Sequence, residues 1–448
     1  MEPAFREELR RRTEAAMIEL KVPGVAVGIL EDGEETVETF GVTSIDHPLA
    51  VDEHTLFQIG STTKTFTATL LMQDVELGRL DLDAPVRRYL PELWLQREEW
   101  SDALLVRHLL THSGGFDGDW FLVHPRGEDD RLAAVIEAMP QVPSQVPPGS
   151  AYAYSNAGFA VAGRLAEVLA GDEWPFEELV ANRISAGLGM TRTLHRAHDL
   201  LLHRYVAGHL VRDGAIEVAR PWHLVRSAAA HGGLVADVRD QLRWLRFQLG
   251  GSSGGPVRPE TVRAMQTRQI EGGSNCAAVG YAWMLETVGE VDVWRHGGET
   301  NGQMCGFKFV PERDFGITVM TNASSGIRLH EELIDWVLGE RLGLVAQPAP
   351  SGPTPDLSPV LGRYHGILRD VVLGEHDGQL WVELQIHQRD GRPPPLVTPA
   401  TAARFTSERT FVTEGPLIGE GNLFDDIGGE PGPWLRWDGR LLRRVGDA

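Results

Sequence analysis

The chain has 448 residues, 42% of them hydrophobic and 23% charged, which at about 100–200 residues per domain implies two or three domains with a large core and excludes wholesale disorder, collagen-like repetition and a disulfide mini-scaffold. Acidic residues outnumber basic ones by 63 to 42, for a net charge of -21, so the surface repels phosphate backbones and anionic lipid, and neither nucleic acid nor a membrane is expected as a partner. The two cysteines, Cys276 and Cys305, are too few for a bridge framework, lack metal spacing and read as packing residues.

In chain order, residues 1–20 are charged and helix-like. They lack the apolar stretch of about 7–15 residues that marks a secretory signal, and no run reaches the roughly 18 apolar residues of a membrane span, so a cytoplasmic location is expected. Segments 24–30 and 35–40 flank an Asp32-Gly33 turn and predict a hairpin. Residues 61–73 predict a helix, and mainly helical segments continue to about residue 270, broken by clusters such as Pro147-Pro148-Gly149. Strand-like runs follow over 277–322, including 302–310 and 315–321, and then a helix over 327–342. Strands at both ends with helices between them predict an α+β domain whose single sheet is split by a helical insertion. The Pro-rich stretch 346–359 reads as a semi-rigid linker between domains at 1–345 and 360–448. Short alternating runs at 371–374, 379–385 and 434–437 predict that the second domain is a small all-β barrel or sandwich.

Only three lysines, Lys21, Lys64 and Lys308, stand among the basic residues. Lys64 lies three residues after Ser61, which opens a helix, so both side chains share one face about 5–6 Å apart. Free N–H groups and the positive end of the helix favour an alkoxide there, and a desolvated lysine can serve as base for the hydroxyl. Alone, the pair more often reads as a helix cap followed by a solvated lysine. In Tyr154-Ser155-Asn156, residues two apart on an extended segment turn phenol and amide to one side. A tyrosine beside a cationic lysine loses its proton below the usual pKa of about 10; the plainer reading is a packed tyrosine with Asn156 as a helix cap. His296-Gly297-Gly298 ends the strand-like run 291–295, where glycines admit close approach of a substrate backbone.

Together and in this order, the three motifs resemble the serine β-lactamase and penicillin-binding-protein superfamily. The similarity extends to Thr111-His112-Ser113-Gly114-Gly115, Gly187-Leu188-Gly189-Met190, His231-Gly232-Gly233-Leu234 and the stretch 302–322 with Pro311-Glu312, covering residues 10–342. The resemblance implies a β-lactamase/DD-peptidase-like fold and an acyl-enzyme hydrolase of amides or esters, with a small-molecule or peptide substrate and no metal or cofactor. It assigns Ser61 as nucleophile, Lys64 as its base, Tyr154 as proton relay, Asn156 as ligand of the substrate amide, the N–H groups of Ser61 and Glu299 as oxyanion hole, and His296, Gly297 and Gly298 as substrate-binding residues. It leaves homo-oligomerisation open.

Many β-lactamases carry Lys-Thr-Gly or Lys-Ser-Gly where this chain has His296-Gly297-Gly298. A histidine is only partly cationic near neutral pH and glycine offers no hydroxyl, so a substrate carboxylate loses both partners. A peptidase or esterase is therefore expected ahead of a β-lactamase or D-Ala-D-Ala carboxypeptidase, and a catalytically silent binding scaffold is disfavoured by the presence of Ser61, Lys64 and Tyr154. The region from Leu361-Gly362-Arg363-Tyr364-His365-Gly366 onward resembles the lipocalin-like domain appended to some of these hydrolases. It is expected to shape access or assembly without supplying catalytic groups, with few contacts crossing the linker. Gly251-Ser252-Ser253-Gly254-Gly255 satisfies Gly-x-Ser-x-Gly but lacks the strand-before, helix-after setting of that nucleophile. His108 and His112 lack the His-Glu-x-x-His pattern and read as securing the turn 111–115; His330-Glu331-Glu332 lacks a second histidine. Glu98-Glu99 and Asp129-Asp130 read as solvated loop charges.

Overall fold

The run Gly-Val-Ala-Val-Gly-Ile-Leu is apolar without alternation because the strand it forms, Gly24–Glu31, is covered on both faces. The computed structural model describes residues 1–119, 132–171, 174–195, 197–212, 214–222, 226–250, 254–273, 275–387, 396–413 and 419–446; Asp129-Asp130 and residues 251–253 lie outside them. Gly24–Glu31 pairs with Glu34–Gly41 through a turn in which Asp32 and Gly33 both have positive φ, as two-residue hairpins require. Its other edge pairs with Phe315–Thr321, placing Val25 opposite Thr321. The antiparallel sheet continues through Gln303–Val310, Val291–Arg295 and Met284–Val288. Both ends of the first domain thus share one sheet, and the helices between them form an insertion.

One face of the sheet presents Val25, Val27, Ile29, Ile317 and Val319 to the helices Pro3–Leu20 and Gly326–Leu342, which contribute Leu9, Leu20, Leu329, Leu333 and Val337. The other face packs on Val238–Gln248 and the larger helical core. Two features of the helical region escaped the periodicity reading: the hairpin His209–Arg212 with Ala215–Val218, and the pairing of Phe57–Gln58 with Val235–Ala236. Both are too short to leave a readable alternation.

The C-terminal region is a closed antiparallel barrel of eight strands: Gly362–His365, Arg369–His376, Gln379–Ile386, Thr401–Phe405, Thr410–Thr413, Gly419–Ile427, Glu430–Trp437 and Arg440–Gly446. Leu396–Val397 pairs beside it. Tyr364, Phe405, Phe411 and Trp437 fill its interior, as expected at this strand number. The connecting stretch lies along the barrel, with Gly352 N–H donating to Phe405 O at 2.8 Å and Leu357 entering the barrel core.

The expectation that few contacts cross to the barrel is overturned. Tyr154 N–H donates to Gly439 O at 2.7 Å, Ile367 N–H to Asp117 Oδ2 at 2.9 Å and Gln145 Nε2 to Leu441 O at 2.8 Å. Arg369 and Arg440 both reach the buried Asp119, at 3.2 and 3.3 Å. The Pro-rich stretch separates the domains along the chain, whereas the turns of the barrel bring it back onto the segment that carries Tyr154.

Candidate active site

Ser61 sits in a 3₁₀ turn, Gly60–Thr62, that runs directly into the helix Thr63–Glu76. This helix is buried on nearly all sides. Its threonines tolerate burial because Thr65 and Thr69 hydroxyls donate to the carbonyls of Thr62 and Thr65 at 2.7 and 2.8 Å. Thr62 Oγ1 donates to His296 O at 3.0 Å, tying the start of the helix to the sheet. The spacing anticipated from sequence holds: Lys64 Nζ is 3.0 Å from Ser61 Oγ.

Lys64 is fully buried, and its other two contacts are neutral oxygens, Asn156 Oδ1 at 2.8 Å and His231 O at 2.7 Å. Burial, helped by the Arg440 charge and opposed by Asp119, holds its ammonium well below the usual lysine range. A neutral amine has two hydrogens and one lone pair. The two carbonyl-type oxygens take the hydrogens, and the lone pair is left for the Ser61 hydroxyl.

The structure corrects the expected protonation of Tyr154. Burial pushes its phenol up to about 12, against the lowering effects of a hydrogen bond with Ser61 and the charge of Arg440. Pushed up in this way, Tyr154 keeps its proton at neutral pH and is a phenol. Asn156 begins the helix Asn156–Leu169, and the cap is Ser155, whose Oγ accepts from Gly158 N–H at 2.9 Å. Tyr154 and Asn156 do converge on Lys64, whose Nζ lies 4.9 Å from the tyrosine ring centre.

His296 is also corrected. It is fully buried, and above all desolvation pushes it down to about 3, so it is neutral, not partly cationic. His296 and Gly297 interrupt the line of strands beside Gln303–Val310, with Gly298–Thr300 pairing beyond them. At Gly60 (φ +52°) an added Cβ would lie 2.6 Å from Glu299 N, and at Gly298 one would lie 1.8 Å from Ile59 O and 2.8 Å from Ser61 N. Only glycines permit this approach, which brings the backbone of Gly60-Ser61 against that of Gly298-Glu299.

Three participants were not assigned to the site by the sequence reading. His112 accepts from Ser155 N–H at 2.9 Å and stacks on Tyr154 with ring centres 4.3 Å apart, so it supports the tyrosine segment as well as its own turn. Asp119 accepts from Asn156 Nδ2 at 3.3 Å. Arg440, from the barrel, lies over the Tyr154 ring at 4.6 Å. A cleft of about 350 Å³ is lined by Ser61, Tyr154, His296 and Glu299 on one side and by Asp438 and Arg440 on the other. Cys276 and Cys305 are buried free thiols pushed up to about 11 by desolvation, consistent with packing.

The beta-lactamase family model matches residues 9–339. The chain is similar to penicillin-binding protein 4 of Amycolatopsis lactamdurans, 30% identical, with 79% of this chain and 96% of that protein covered. It is also similar to the unguisins hydrolase of Aspergillus violaceofuscus, 24% identical over 86% of this chain and 77% of that protein. The crystal structure of SurE with D-Leu shares the fold, with a TM-score of 0.76 at 24% identity over 99% of this chain and 100% of that one. No described helix is long and apolar enough to cross a membrane. With most of its length matched, this chain belongs to the beta-lactamase family of serine hydrolases.

Proposed function

We propose that the protein hydrolyses amide or ester bonds through an acyl-enzyme on Ser61, as a peptidase or esterase and not as a β-lactamase. The observation that carries the reading is the desolvated Lys64, whose lone pair is left for the Ser61 hydroxyl by two neutral oxygens. Lys64 takes the hydroxyl proton as Oγ attacks the carbonyl carbon. The N–H groups of Ser61 and Glu299 hold the resulting oxyanion, each such donor being worth about 2.7–4 kcal/mol of barrier. The Tyr154 phenol, hydrogen-bonded to Ser61, delivers a proton to the departing nitrogen or oxygen, and water then releases the acyl group by the reverse proton transfers. Asn156, which accepts from Lys64 and donates to Asp119, is assigned as the ligand of the substrate amide.

The preference against β-lactams rests on His296, which is neutral, and Gly297, which has no hydroxyl, so these two positions offer a carboxylate neither the charge nor the hydroxyl of a Lys-Thr-Gly motif. The D-leucine bound by SurE supports including D-aminoacyl derivatives among the candidate substrates. A fluorophosphonate, located by mass spectrometry, should modify Ser61, and a panel of esters, D- and L-aminoacyl amides and a chromogenic cephalosporin should rank the first two classes far ahead. Labelling elsewhere would sink the nucleophile assignment. Cephalosporin turnover with kcat/KM above about 10⁵ M⁻¹s⁻¹ would overturn the substrate reading.

A further inference from the structure

Three side chains of the barrel converge away from Ser61. His365 Nδ1 lies 2.7 Å from Asp370 Oδ1, and His387 Nε2 lies 3.1 Å from the same oxygen. Donor atoms of all three residues fall within 4.8 Å of one another. The second oxygen of Asp370 accepts from Arg363 Nη1 at 2.9 Å, and Arg363 also donates to Gln385 Oε1 at 2.7 Å, so the carboxylate is held in orientation.

The hydrogen bonds constrain the protons. His387 Nδ1 is 3.0 Å from Ile367 O, and a carbonyl only accepts, so this nitrogen carries the hydrogen. In the neutral ring Nε2 is then a bare lone pair 3.1 Å from a carboxylate oxygen. Two lone pairs at that distance repel unless a cation lies between them.

We propose that His365, Asp370 and His387 bind a borderline divalent cation, zinc being the best match, and that the ion clamps the barrel turn 366–369 against the hydrolase domain. Two imidazoles and one carboxylate suit zinc better than magnesium or calcium, which take oxygen ligands. Tetrahedral bonds of about 2.0–2.1 Å place donors about 3.3 Å apart, so the 2.7 Å contact must open by about 0.6 Å and the 3.1 Å contact by about 0.2 Å. The His387–carbonyl and Asp370–Arg363 bonds are the outer partners that such ligands normally have. The His365 ring is about half exposed, which leaves room for water as a fourth ligand.

The position gives the ion a mechanical consequence. His387 N–H donates to Leu368 O at 2.7 Å, Ile367 N–H donates to Asp117, and Arg369 reaches Asp119, the residue that also holds Asn156. An ion at the triad would stiffen the turn through which the barrel grips this segment.

The test uses the full chain, stripped with a chelator and titrated with zinc chloride by calorimetry, alongside cobalt absorption spectra and thermal melts. Wild type should take up zinc at the triad, give the visible absorption of tetrahedral cobalt and melt higher with zinc, while magnesium does none of this. His387→Ala should weaken zinc binding at least about 100-fold. His365→Ala, which removes a half-exposed ring, provides a second variant less prone to misfolding, with at least about tenfold weakening expected. Absence of uptake, uptake unchanged in both variants, or a melt that responds to pH but not to zinc would overturn the proposal; the last would identify the shared cation as a proton.

Discussion

Replacing Gly298 by alanine tests the oxyanion geometry directly. The added Cβ would lie 1.8 Å from Ile59 O and 2.8 Å from Ser61 N, and both neighbours are backbone that no side-chain rotation can clear. Ordinary contact begins at 3.4 Å, so the two segments must part by about 1.6 Å. A misplacement near 1 Å costs about 10² in rate, and losing one oxyanion donor costs about 10²–10³. Ser61 labelling by a phosphonate and kcat/KM toward a small ester should each fall by at least about 10². Overpacking of this kind costs about 1–3 kcal/mol of stability, which circular dichroism and thermal melts will read separately from activity. Gly297→Ala is the internal comparison, because its Cβ meets only Cys305 O, at 3.2 Å, and should cost less than about tenfold. A folded Gly298→Ala protein that labels as fast as wild type would refute the assigned oxyanion site.

Lys64→Ala and Tyr154→Phe should each lower kcat/KM by about 10² or more with folding intact, as measured by steady-state kinetics beside circular dichroism. The acid limb of kcat/KM should report protonation of Lys64, with activity falling as pH drops through its depressed folded pKa; a limb abolished by His296→Gln would contradict this, since His296 is pushed down to about 3. Lysine is the case in which the unfolded chain binds more protons than the folded one, so Lys64 makes stability rise with pH toward the unfolded value of about 10.4, and Lys64→Met should flatten that rise in urea melts. Arg440→Met should slow Ser61 labelling by about tenfold or more, because it removes the cation over Tyr154 and a partner of buried Asp119. A chain ended at residue 345 should label more slowly still, since Tyr154 N–H loses Gly439 O and Asp119 loses two guanidinium groups.

The readings that held are those whose physics is local. A helix brings positions three apart together whatever surrounds it, so the Ser61–Lys64 contact follows from spacing alone. The Asp32-Gly33 turn, the apolar strand runs and the alternating runs at 371–374, 379–385 and 434–437 are likewise properties of a few consecutive residues, and the order of elements was enough for the split sheet. Tertiary structure decided the protonation states. Burial by elements far apart in the chain lowers the Lys64 pKa, makes His296 neutral and keeps Tyr154 a phenol, reversing two expectations drawn from residue type. It also decided what completes the site: Asp119 and the barrel's Arg440 are 321 positions apart, and neither stands in a motif. Desolvation and charge depend on everything within several ångströms in space, and spacing along the chain carries that information only when chain neighbours are also the nearest neighbours.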